Sequence, residues 1–403
     1  MRLHRRARDA DMRRVVVTGL GVVSPFGLGA KAYWEGVRSG TCAIRPVTLI
    51  ETEGFRCRIA AEVPDPVPGS LRRSRADRFA LAAAREAIDD AGLDATERRR
   101  TALVVGAVGG GMLEAEAWYW QAKRSGVPLR ATPELRSILP YSHADVVGSR
   151  LGLGGPRETL VTACSSGAVS LAVAADLVAD GVAPVAVAGG TDALTRICFM
   201  GFNALRLLDP EPCRPFDAAR RGMSIGEGAG FVVLEDAAHA GARGARIYAE
   251  LAGSGMTTDA FHVTSPQPDG EGMARAMVAA LARGRVRPKA VGYVNAHGTA
   301  TLQNDRIEAR ALRSVFGAAG VLVSSTKSMI GHTMAAAGSL EAIATILALV
   351  HETVPPTANL ATTDAEVAFD CVPGVAREAS VECAISNSFG FGGQNVTLLF
   401  RRP

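Results

Sequence analysis

Short apolar runs alternate with longer amphipathic segments along most of the chain. Runs without a polar face are typical of strands buried on both sides. We predict such strands at 15–18, 103–105, 185–188, 231–234, 247–251, 291–294, 321–325, 383–386 and 396–400. Apolar residues at helical spacing predict helices at 77–91, 168–178, 271–283, 304–316 and 334–350. This alternation indicates an α/β protein with a largely parallel sheet system.

The order of these elements repeats weakly once. A buried strand leads each part, at 15–21 and at 250–255. In each part a strand then gives way, through small residues, to an Ala-rich helix, near Cys164 and near His332. We therefore predict two similar halves, 13–250 and 251–403, fused into one globule behind a basic tail at 1–12. A site at their junction would use residues of both halves.

Composition and charge exclude several classes of protein. The 403 residues, 48% of them hydrophobic, allow one large core or two fused cores. The net charge of +4 is too small to indicate nucleic-acid binding. Two basic clusters are typical of solvated faces, although an acidic partner would also suit them. They contain Arg2, Arg5, Arg6 and Arg8 in the tail, and Arg72, Arg73, Arg75 and Arg78 further on.

The seven cysteines form no CxxC pair and show no metal-ligand spacing. They predict reduced thiols in a cytoplasmic protein, without zinc or a disulfide framework. The apolar run at 15–21 is too short for a signal peptide. The most hydrophobic helix carries Glu341, so we predict no membrane span.

Cys164 is the strongest candidate for chemistry. It lies in a turn of small residues, Thr-Ala-Cys-Ser-Ser-Gly-Ala, directly before a predicted helix. The positive end of a helix dipole and its free N–H groups favour a thiolate. We therefore expect the pKa of Cys164 to lie below that of an ordinary thiol, as in reactive cysteines.

Three further segments are expected to meet Cys164. His297 follows the strand at 291–294, His332 follows the strand at 321–325, and a Gly-rich loop occupies 389–393. Open α/β folds place their sites beyond the carboxyl ends of strands. Any one of these signals is weak, but the four together form a specific constellation.

These motifs give the chain its resemblance to a known family. It resembles the β-ketoacyl-acyl-carrier-protein synthases, and most closely the synthase II branch of the thiolase-fold condensing enzymes. The matching segments are 17–21, 162–167, 214–217, 226–230, 259–266, 387–393 and the two histidine motifs. The resemblance implies a thiolase-like fold of two similar α/β halves with a layered α-β-α-β-α core.

The resemblance also implies an acyltransferase reaction, the decarboxylative Claisen condensation. Cys164 would accept an acyl chain from the phosphopantetheine of an acyl carrier protein. Malonyl carrier would then lose carbon dioxide, and the resulting carbanion would attack the acyl group. Each cycle extends a fatty-acid, polyene or polyketide chain by two carbons.

Individual roles carry over from the family by motif. His297 and His332 would donate N–H groups to the thioester oxygen, where enolate charge develops. The N–H groups of Cys164 and Phe391 would form the oxyanion hole, and the Phe391 ring would act as a gate. Lys327, backed by Glu341, would tune the charge around the histidines, while Asp305 and Glu308 support the site. Substrate-binding positions are Thr264, Thr299 and Thr301 for pantetheine, Met223, Val108 at the end of the acyl pocket, and Arg206 at the tunnel mouth.

The resemblance implies no cofactor beyond the carrier's phosphopantetheine. In some relatives a monovalent cation binds at positions matching Asn295, Glu341, Ser386 and Asn387, and a dry hydrogen-bond cluster is the other interpretation. The expected partners are the carrier protein and a second subunit, either an identical chain or a related ketosynthase or chain-length subunit. Neither nucleic acid nor a membrane is expected.

Some positions depart from the housekeeping pattern. Gln394 stands where a Thr is usual, and Tyr141-Ser142 replaces an Asn-Met pair of the dimer interface. Segments 214–217 and 222–227 look more like synthases of polyene or polyketide pathways. These departures leave the chain length and the nature of the second subunit open.

Four other functions compete with this interpretation. A non-catalytic chain-length partner would lack the nucleophile, which is present here. A thiolase or an enzyme that uses coenzyme A thioesters would replace one histidine by Cys or Asn. A cysteine hydrolase would need a His–Asn or His–Asp pair and a path for water. A module that only binds carrier protein would not need paired histidines.

Overall fold

The computed structural model describes residues 13–70, 73–126, 133–317 and 321–403. The predicted tail at 1–12 and Arg72 lie outside these residues. The strands are β1 Val15–Ser24, β2 Gly27–Leu28, β3 Arg45–Pro46, β4 Ile59–Ala61, β5 Ala102–Gly106, β6 Arg157–Leu160, β7 Val185–Asp192, β8 Ile225–Gly226, β9 Gly228–Asp236, β10 Ala249–Thr258, β11 Val291–Asn295, β12 Leu322–Ser324, β13 Thr353–Val354, β14 Arg377–Glu378, β15 Cys383–Gly390 and β16 Gln394–Arg401.

Helices occupy the segments between these strands. They are α1 Ala30–Ser39, α2 Arg75–Asp90, α3 Ala95–Arg98, α4 Met112–Ser125, α5 Tyr141–Leu151, α6 Ser166–Ala179, α7 Arg196–Ala204, α8 Ala237–Ala242, α9 Glu271–Gly284, α10 Leu302–Phe316, α11 Lys327–Ile330 and α12 Ala337–His351. Short 3₁₀ turns precede α6 and α12, at Ala163–Ser165 and Met334–Ala336. Every predicted strand and helix is present. The strand β6 was missed because its sequence, Arg-Glu-Thr-Leu, is polar at the exposed end of the sheet.

One large sheet runs through the molecule in the order β12-β11-β15-β16-β10-β1-β9-β7-β5-β6, with β2 beside β1. Strands are parallel only towards its two ends, where β5 pairs with β6 and β7, and β11 pairs with β12 and β15. The pairs in the middle are antiparallel. The expected largely parallel sheet is therefore wrong for the centre. The reason is visible between β15 and β16, because a connection of three residues is too short for a parallel crossover.

The spatial order of strands is the same in the two halves of the chain. In the first half β1, β5, β6, β7 and β9 take the positions that β10, β11, β12, β15 and β16 take in the second. The halves join where β1 pairs with β10, through Val16–Glu250 and Val17–Ala249. Two similar α/β halves are thus confirmed. The division at residue 250 stays a prediction, and β10 itself begins at Ala249.

Two buried helices lie between the two parts of the large sheet, one formed by the strands of the first half of the chain and the other by those of the second. The helix α6 packs on β5 and β7, and α12 packs on β9 and β15. On the outer faces, α2 covers the first half-sheet and α9 covers the second. These layers form the expected α-β-α-β-α core.

Among the described residues, one helical stretch is long and apolar enough to cross a membrane by length and composition alone, Met334–His351. Every residue of α12 from Ala337 to Leu349 is buried. The stretch is therefore the central core helix of this fold.

The two central helices approach each other through glycine. A Cβ atom on Gly167 would lie 2.7 Å from the Ala335 carbonyl oxygen, and one on Gly338 would lie 2.7 Å from the Ala168 nitrogen. Only glycine allows backbones to come this close. The starts of α6 and α12 are therefore held side by side, and the candidate site lies at this point.

Candidate active site

Cys164 lies in the 3₁₀ turn between β6 and α6. The preceding residue, Ala163, has a φ of 51°, a left-handed conformation that L residues rarely adopt. The Ser166 hydroxyl holds the turn, since it accepts from the Thr162 N–H (2.9 Å) and donates to the Ala163 carbonyl (2.7 Å). The turn places the thiol at the buried start of the helix, with 7% of Cys164 exposed.

Burial dominates the acidity of this thiol. It raises the pKa of Cys164 to about 11, against a hydrogen bond from the Phe391 backbone and the charge of Lys327, which both lower it. The expectation of a lowered pKa is therefore wrong, because desolvation of the thiolate outweighs the favourable groups around it. The thiol is protonated at neutral pH. The Phe391 backbone reaches Cys164, as the predicted oxyanion hole requires.

His297 follows the strand β11, and His332 follows the neighbouring parallel strand β12 after the short helix α11. Their rings are 5.4 Å apart between centroids and nearly perpendicular. Burial lowers the pKa of both side chains well below the usual 6.5, and the charge of Lys327 lowers it further. Both imidazoles are therefore neutral at physiological pH.

The partners of the two rings assign their tautomers. The Nδ1 atom of His332 accepts from the Met334 N–H (3.3 Å), and the Nδ1 atom of His297 accepts from the Lys327 ammonium group (3.3 Å). In each neutral ring the proton then resides on Nε2. The Nε2 atom of His332 is buried and has no partner among the described residues. The pair can therefore present N–H donors to a substrate oxygen.

Lys327 lies behind His297 at the start of α11. Its ammonium group donates to the His297 carbonyl (2.6 Å) and forms a buried ion pair with Glu341 of α12. Burial raises the pKa of Glu341 to about 7, although the charge of Lys327 lowers it. The pair connects the histidine loop to the central helix.

Two carboxylates of α10 hold the loop that carries His297. Glu308 accepts from the N–H groups of His297 (2.9 Å) and Gly298 (2.8 Å). Asp305 accepts from Phe216 (2.8 Å) and Ala300 (3.1 Å). Both are fully buried behind the loop, so they support the site and do not line it.

A cavity of about 300 Å³ opens onto the thiol and the two imidazoles. Most of the predicted site residues line it, namely Cys164, His297, His332, Phe391, Thr264, Thr299, Thr301, Met223 and Arg206. The hydroxyls of Thr299 and Thr301 are 2.9 Å apart. This combination of a thiol, neutral donors and hydroxyls suits a thioester with a polar arm.

Besides the groups that lie behind the histidines, Val108 and Arg75 are not brought to this cavity. Val108 is half-buried beyond β5 and does not line the cavity; its place at the end of an acyl pocket stays a prediction. Arg75 is 3% exposed and bonded to Glu227 and Asp65. The expectation that Arg75 belongs to a solvated or docking face is therefore wrong, because the guanidinium group is itself buried and is held by the buried Glu227 carboxylate and by Asp65.

Sequence reasoning assigned no role to several cavity residues. Asp259 and Asn395 line the cavity and bind each other (2.6 Å) beside the Gly-rich loop. Phe202 also lines it, with its ring 5.9 Å from that of Phe391. Asp259 belongs to a motif recognised in the sequence and Asn395 to a noted departure, but no local pattern indicated that they meet.

The predicted cation position contains three buried side-chain oxygens without partners in the described part of the chain. Asn295 Oδ1, Glu341 Oε2 and Ser386 Oγ are buried and have no hydrogen-bond partner among the described residues. Asn295 pairs with Ser386 across β11 and β15, and its amide donates to the Glu341 carbonyl (3.2 Å). Three such oxygens fit a hard cation. Asn387 does not fit, because its Oδ1 accepts from Thr397 (2.7 Å).

Comparisons with known proteins identify the family of the chain. The family models "Beta-ketoacyl synthase, N-terminal domain" and "Beta-ketoacyl synthase, C-terminal domain" match residues 12–240 and 248–361. This chain belongs to the β-ketoacyl synthase family. The expected reaction class, a condensation catalysed by an acyltransferase that uses carrier-bound substrates, is thereby confirmed.

Similar proteins cover nearly the whole chain. The 3-oxoacyl-[acyl-carrier-protein] synthase 2 of Synechocystis sp. is 40% identical over 98% of this chain and 99% of its own, and that of Coxiella burnetii is 40% identical over 97% and 99%. Among solved structures, the ishigamide ketosynthase/chain length factor has a TM-score of 0.94 at 38% identity, and covers 97% of this chain and 100% of its own. A type II PKS acyl-carrier protein in complex with its ketosynthase has a TM-score of 0.92 at 32% identity, with the same coverage.

The raised pKa of Cys164 predicts how the thiol reacts with a small alkylating agent. Because the thiolate is the reactive form, the rate of alkylation by iodoacetamide should rise about tenfold per pH unit from pH 7 to pH 9. Peptide mass spectrometry after timed quenching would follow Cys164, with the Cys164→Ala variant to identify its peptide. A rate that levels off below pH 8 would contradict a pKa near 11.

Proposed function

We propose that this ketosynthase elongates chains on Cys164 and that His297 and His332 stabilise the enolate formed from malonyl carrier. The observation that carries the proposal is the pair of buried, neutral imidazoles that line the cavity together with the thiol, with the Nε2 atom of His332 lacking a partner among the described residues. A hydrogen-bond donor that is already oriented and desolvated stabilises a developing oxyanion more strongly than water does.

The first half-reaction loads the chain. The Cys164 sulfur attacks the carrier thioester carbon, and the thiol proton leaves with the pantetheine thiol that is released. The carbonyl oxygen becomes negative and is held by the N–H groups of Cys164 and Phe391. Since the thiol is protonated at rest, its deprotonation is part of this step.

The second half-reaction forms the carbon–carbon bond. The malonyl thioester loses carbon dioxide, and its electron pair moves into an enolate whose oxygen accepts from His297 and His332. The enolate carbon then attacks the acyl carbon on Cys164, the carbon–sulfur bond breaks, and the sulfur leaves as a thiolate that takes a proton from solvent to restore the resting thiol. Thr264, Thr299 and Thr301 line the approach and are placed to hydrogen-bond the pantetheine arm.

A monovalent cation would be held by Asn295, Glu341 and Ser386, the three residues whose buried oxygens lack partners. It would supply positive charge at Oε2 of Glu341, the carboxylate oxygen that does not pair with Lys327. No catalytic step requires it.

Substitutions should separate the two half-reactions. Cys164→Ala should abolish acyl loading and leave the fold intact, and Cys164→Gln should retain or raise malonyl decarboxylation because its amide mimics the acylated state. His297→Ala and His332→Ala should each lower decarboxylation by about 10²-fold or more, the scale of losing one oxyanion donor. Loading should suffer less.

Intact mass spectrometry measures loading, and release of labelled carbon dioxide measures decarboxylation. His351→Ala, at an exposed histidine stacked on Trp34, is the matched control. An acyl adduct on the Cys164→Ala protein would refute the nucleophile. A chain with no loading at all would favour the non-catalytic chain-length subunit.

We propose that the carrier docks beside Arg206. This residue is exposed, lines the cavity, and makes no ion pair with a described residue, whereas the neighbouring Arg221 is bound by Asp209 and Glu211. An arginine without a described ion-pair partner at the opening of the cavity can attract an acidic carrier protein and guide its approach.

Arg206→Glu should therefore raise the KM for carrier-bound substrate and leave turnover of a free pantetheine thioester nearly unchanged. The carrier KM of the wild type should also rise with salt. Arg38→Glu, at an exposed arginine remote from the cavity, should behave as wild type. If the Arg206→Glu protein keeps the wild-type KM, docking lies elsewhere.

We also propose that a second ketosynthase-fold subunit covers the face around α4 and α7, in a polyketide or polyene pathway. The two helices are joined because Glu116 accepts from the N–H groups of Arg196 (3.0 Å) and Ile197 (2.9 Å). Large apolar side chains are exposed here and near β6, namely Tyr119, Trp120, Leu139, Tyr141, Val161, Ile197 and Met200. Such a patch is typical of a protein interface. The ketosynthase/chain length factor structures among the similar proteins support this partner.

Light scattering should show a dimer, either of this chain alone at twice 41.9 kDa or of a one-to-one complex after co-expression with a chain-length subunit. Tyr141→Asp should break it, because a desolvated carboxylate is costly in an apolar interface. A monomer in both preparations would refute the proposal. The cytoplasmic location stays a prediction.

A further inference from the structure

The start of the second central helix repeats the nucleophile turn of the first. Residues 162–168 read Thr-Ala-Cys-Ser-Ser-Gly-Ala, and residues 333–339 read Thr-Met-Ala-Ala-Ala-Gly-Ser. Each segment begins its 3₁₀ turn with a residue of positive φ, Ala163 at 51° and Met334 at 53°, and continues into a central helix. Ala335 therefore occupies the position that Cys164 occupies in the first half.

A carboxylate occupies the donor position of this second turn. Asp192, the last residue of β7, is 1% exposed, and its Oδ2 accepts from the Ala335 N–H (2.9 Å). Its Oδ1 accepts from the Gly109 N–H (2.7 Å). In the first half, the equivalent N–H group belongs to Cys164 and is assigned to the oxyanion hole. The second turn has no nucleophile, and its N–H group is bound permanently by Asp192.

This turn directly follows a catalytic histidine. The main chain of His332 is fixed on one side, because its N–H donates to the Ser224 carbonyl (2.8 Å) and its carbonyl accepts from Gly226 (2.9 Å). The ring is oriented on the other side by the Met334 N–H, which donates to Nδ1. Met334 holds an unfavourable φ, so the turn must be held in place by neighbouring contacts. The Asp192 carboxylate binds the very next N–H group, that of Ala335.

We propose that Asp192 is a positioning residue for the condensation. By holding the Met334–Ala336 turn from the opposite half of the molecule, it keeps the Met334 N–H on Nδ1 of His332. The Nε2 proton of His332 then faces the thioester oxygen. The proposal rests on the enolate-stabilising role of His332 in the proposed function. Its effect on the reacting groups is confined to the decarboxylation half-reaction, because Asp192 touches neither Cys164 nor its turn in any described hydrogen bond. Its second partner, Gly109, adjoins Val108 at the predicted end of the acyl pocket, so loading is measured with an acetyl carrier, whose chain is too short to reach that end.

Graded substitutions test this role. Asp192→Asn keeps one side-chain oxygen as an acceptor, but its NH₂ group cannot accept from the second backbone N–H. Asp192→Ala removes both acceptors. Decarboxylation of malonyl carrier should fall several-fold in the first variant and about tenfold in the second, less than the about 10²-fold loss of a whole oxyanion donor. Acyl loading should stay within about twofold of wild type in both. Glu235→Gln is the matched control, since Glu235 is a buried carboxylate bound by Thr18, His239 and Arg243 on α8 and β1.

A double-mutant cycle separates positioning from a general loss of stability. In the His332→Ala background, Asp192→Asn should cause no further loss of decarboxylation, because the ring that it positions is absent. Independent, multiplicative losses would overturn the proposal, as would equal losses in loading and decarboxylation. A folded Asp192→Asn protein with wild-type rates would overturn it too. A wild-type protein that does not decarboxylate malonyl carrier would instead refute the proposed function.

Discussion

The buried ion pair of Lys327 and Glu341 sets the electrostatics of the whole site. Removing two charges from water is costly, and the cost is offset only when partners satisfy both groups. Lys327 meets this condition through Glu341 and the His297 carbonyl. Burial lowers the pKa of both imidazoles, and the positive charge of Lys327 lowers it further, so that they donate hydrogen bonds without becoming cations. Protonated histidines would be stronger donors, but their positive charge would also bind the malonyl carboxylate and oppose its loss as carbon dioxide.

The site divides its tasks between the two halves of the chain. The first half supplies the thiol at the end of β6, and the second supplies the donors at the ends of β11 and β12. The close crossing at Gly167 and Gly338 brings these ends together. Neither half holds the complete chemistry, which explains why the single sheet that joins β1 to β10 matters for function and not only for stability.

The positions of the catalytic residues could be predicted from the sequence, but their energetics could not. Cys164, His297 and His332 each follow a strand in a segment of small residues, and strand ends converge in this kind of fold. The pKa of Cys164 could not be predicted, because it depends on how deeply the turn is buried by the second half. The antiparallel middle of the sheet was missed since an apolar run looks the same in either direction. Asp192 ends the observed strand β7, beyond the end of the strand predicted at 185–188, and its partner Ala335 is 143 positions away.

The glycine crossing has a consequence for how such enzymes diversify. The thiol is placed by contacts between main chains, at Gly167 against the Ala335 carbonyl and at Gly338 against the Ala168 nitrogen. Residues that shape the cavity, such as Met223 and Phe202, lie on separate segments around it. Mutations in the cavity wall can therefore change the range of substrates while the reacting atoms keep their relative positions. A fold built in this way separates the evolution of selectivity from the preservation of catalysis.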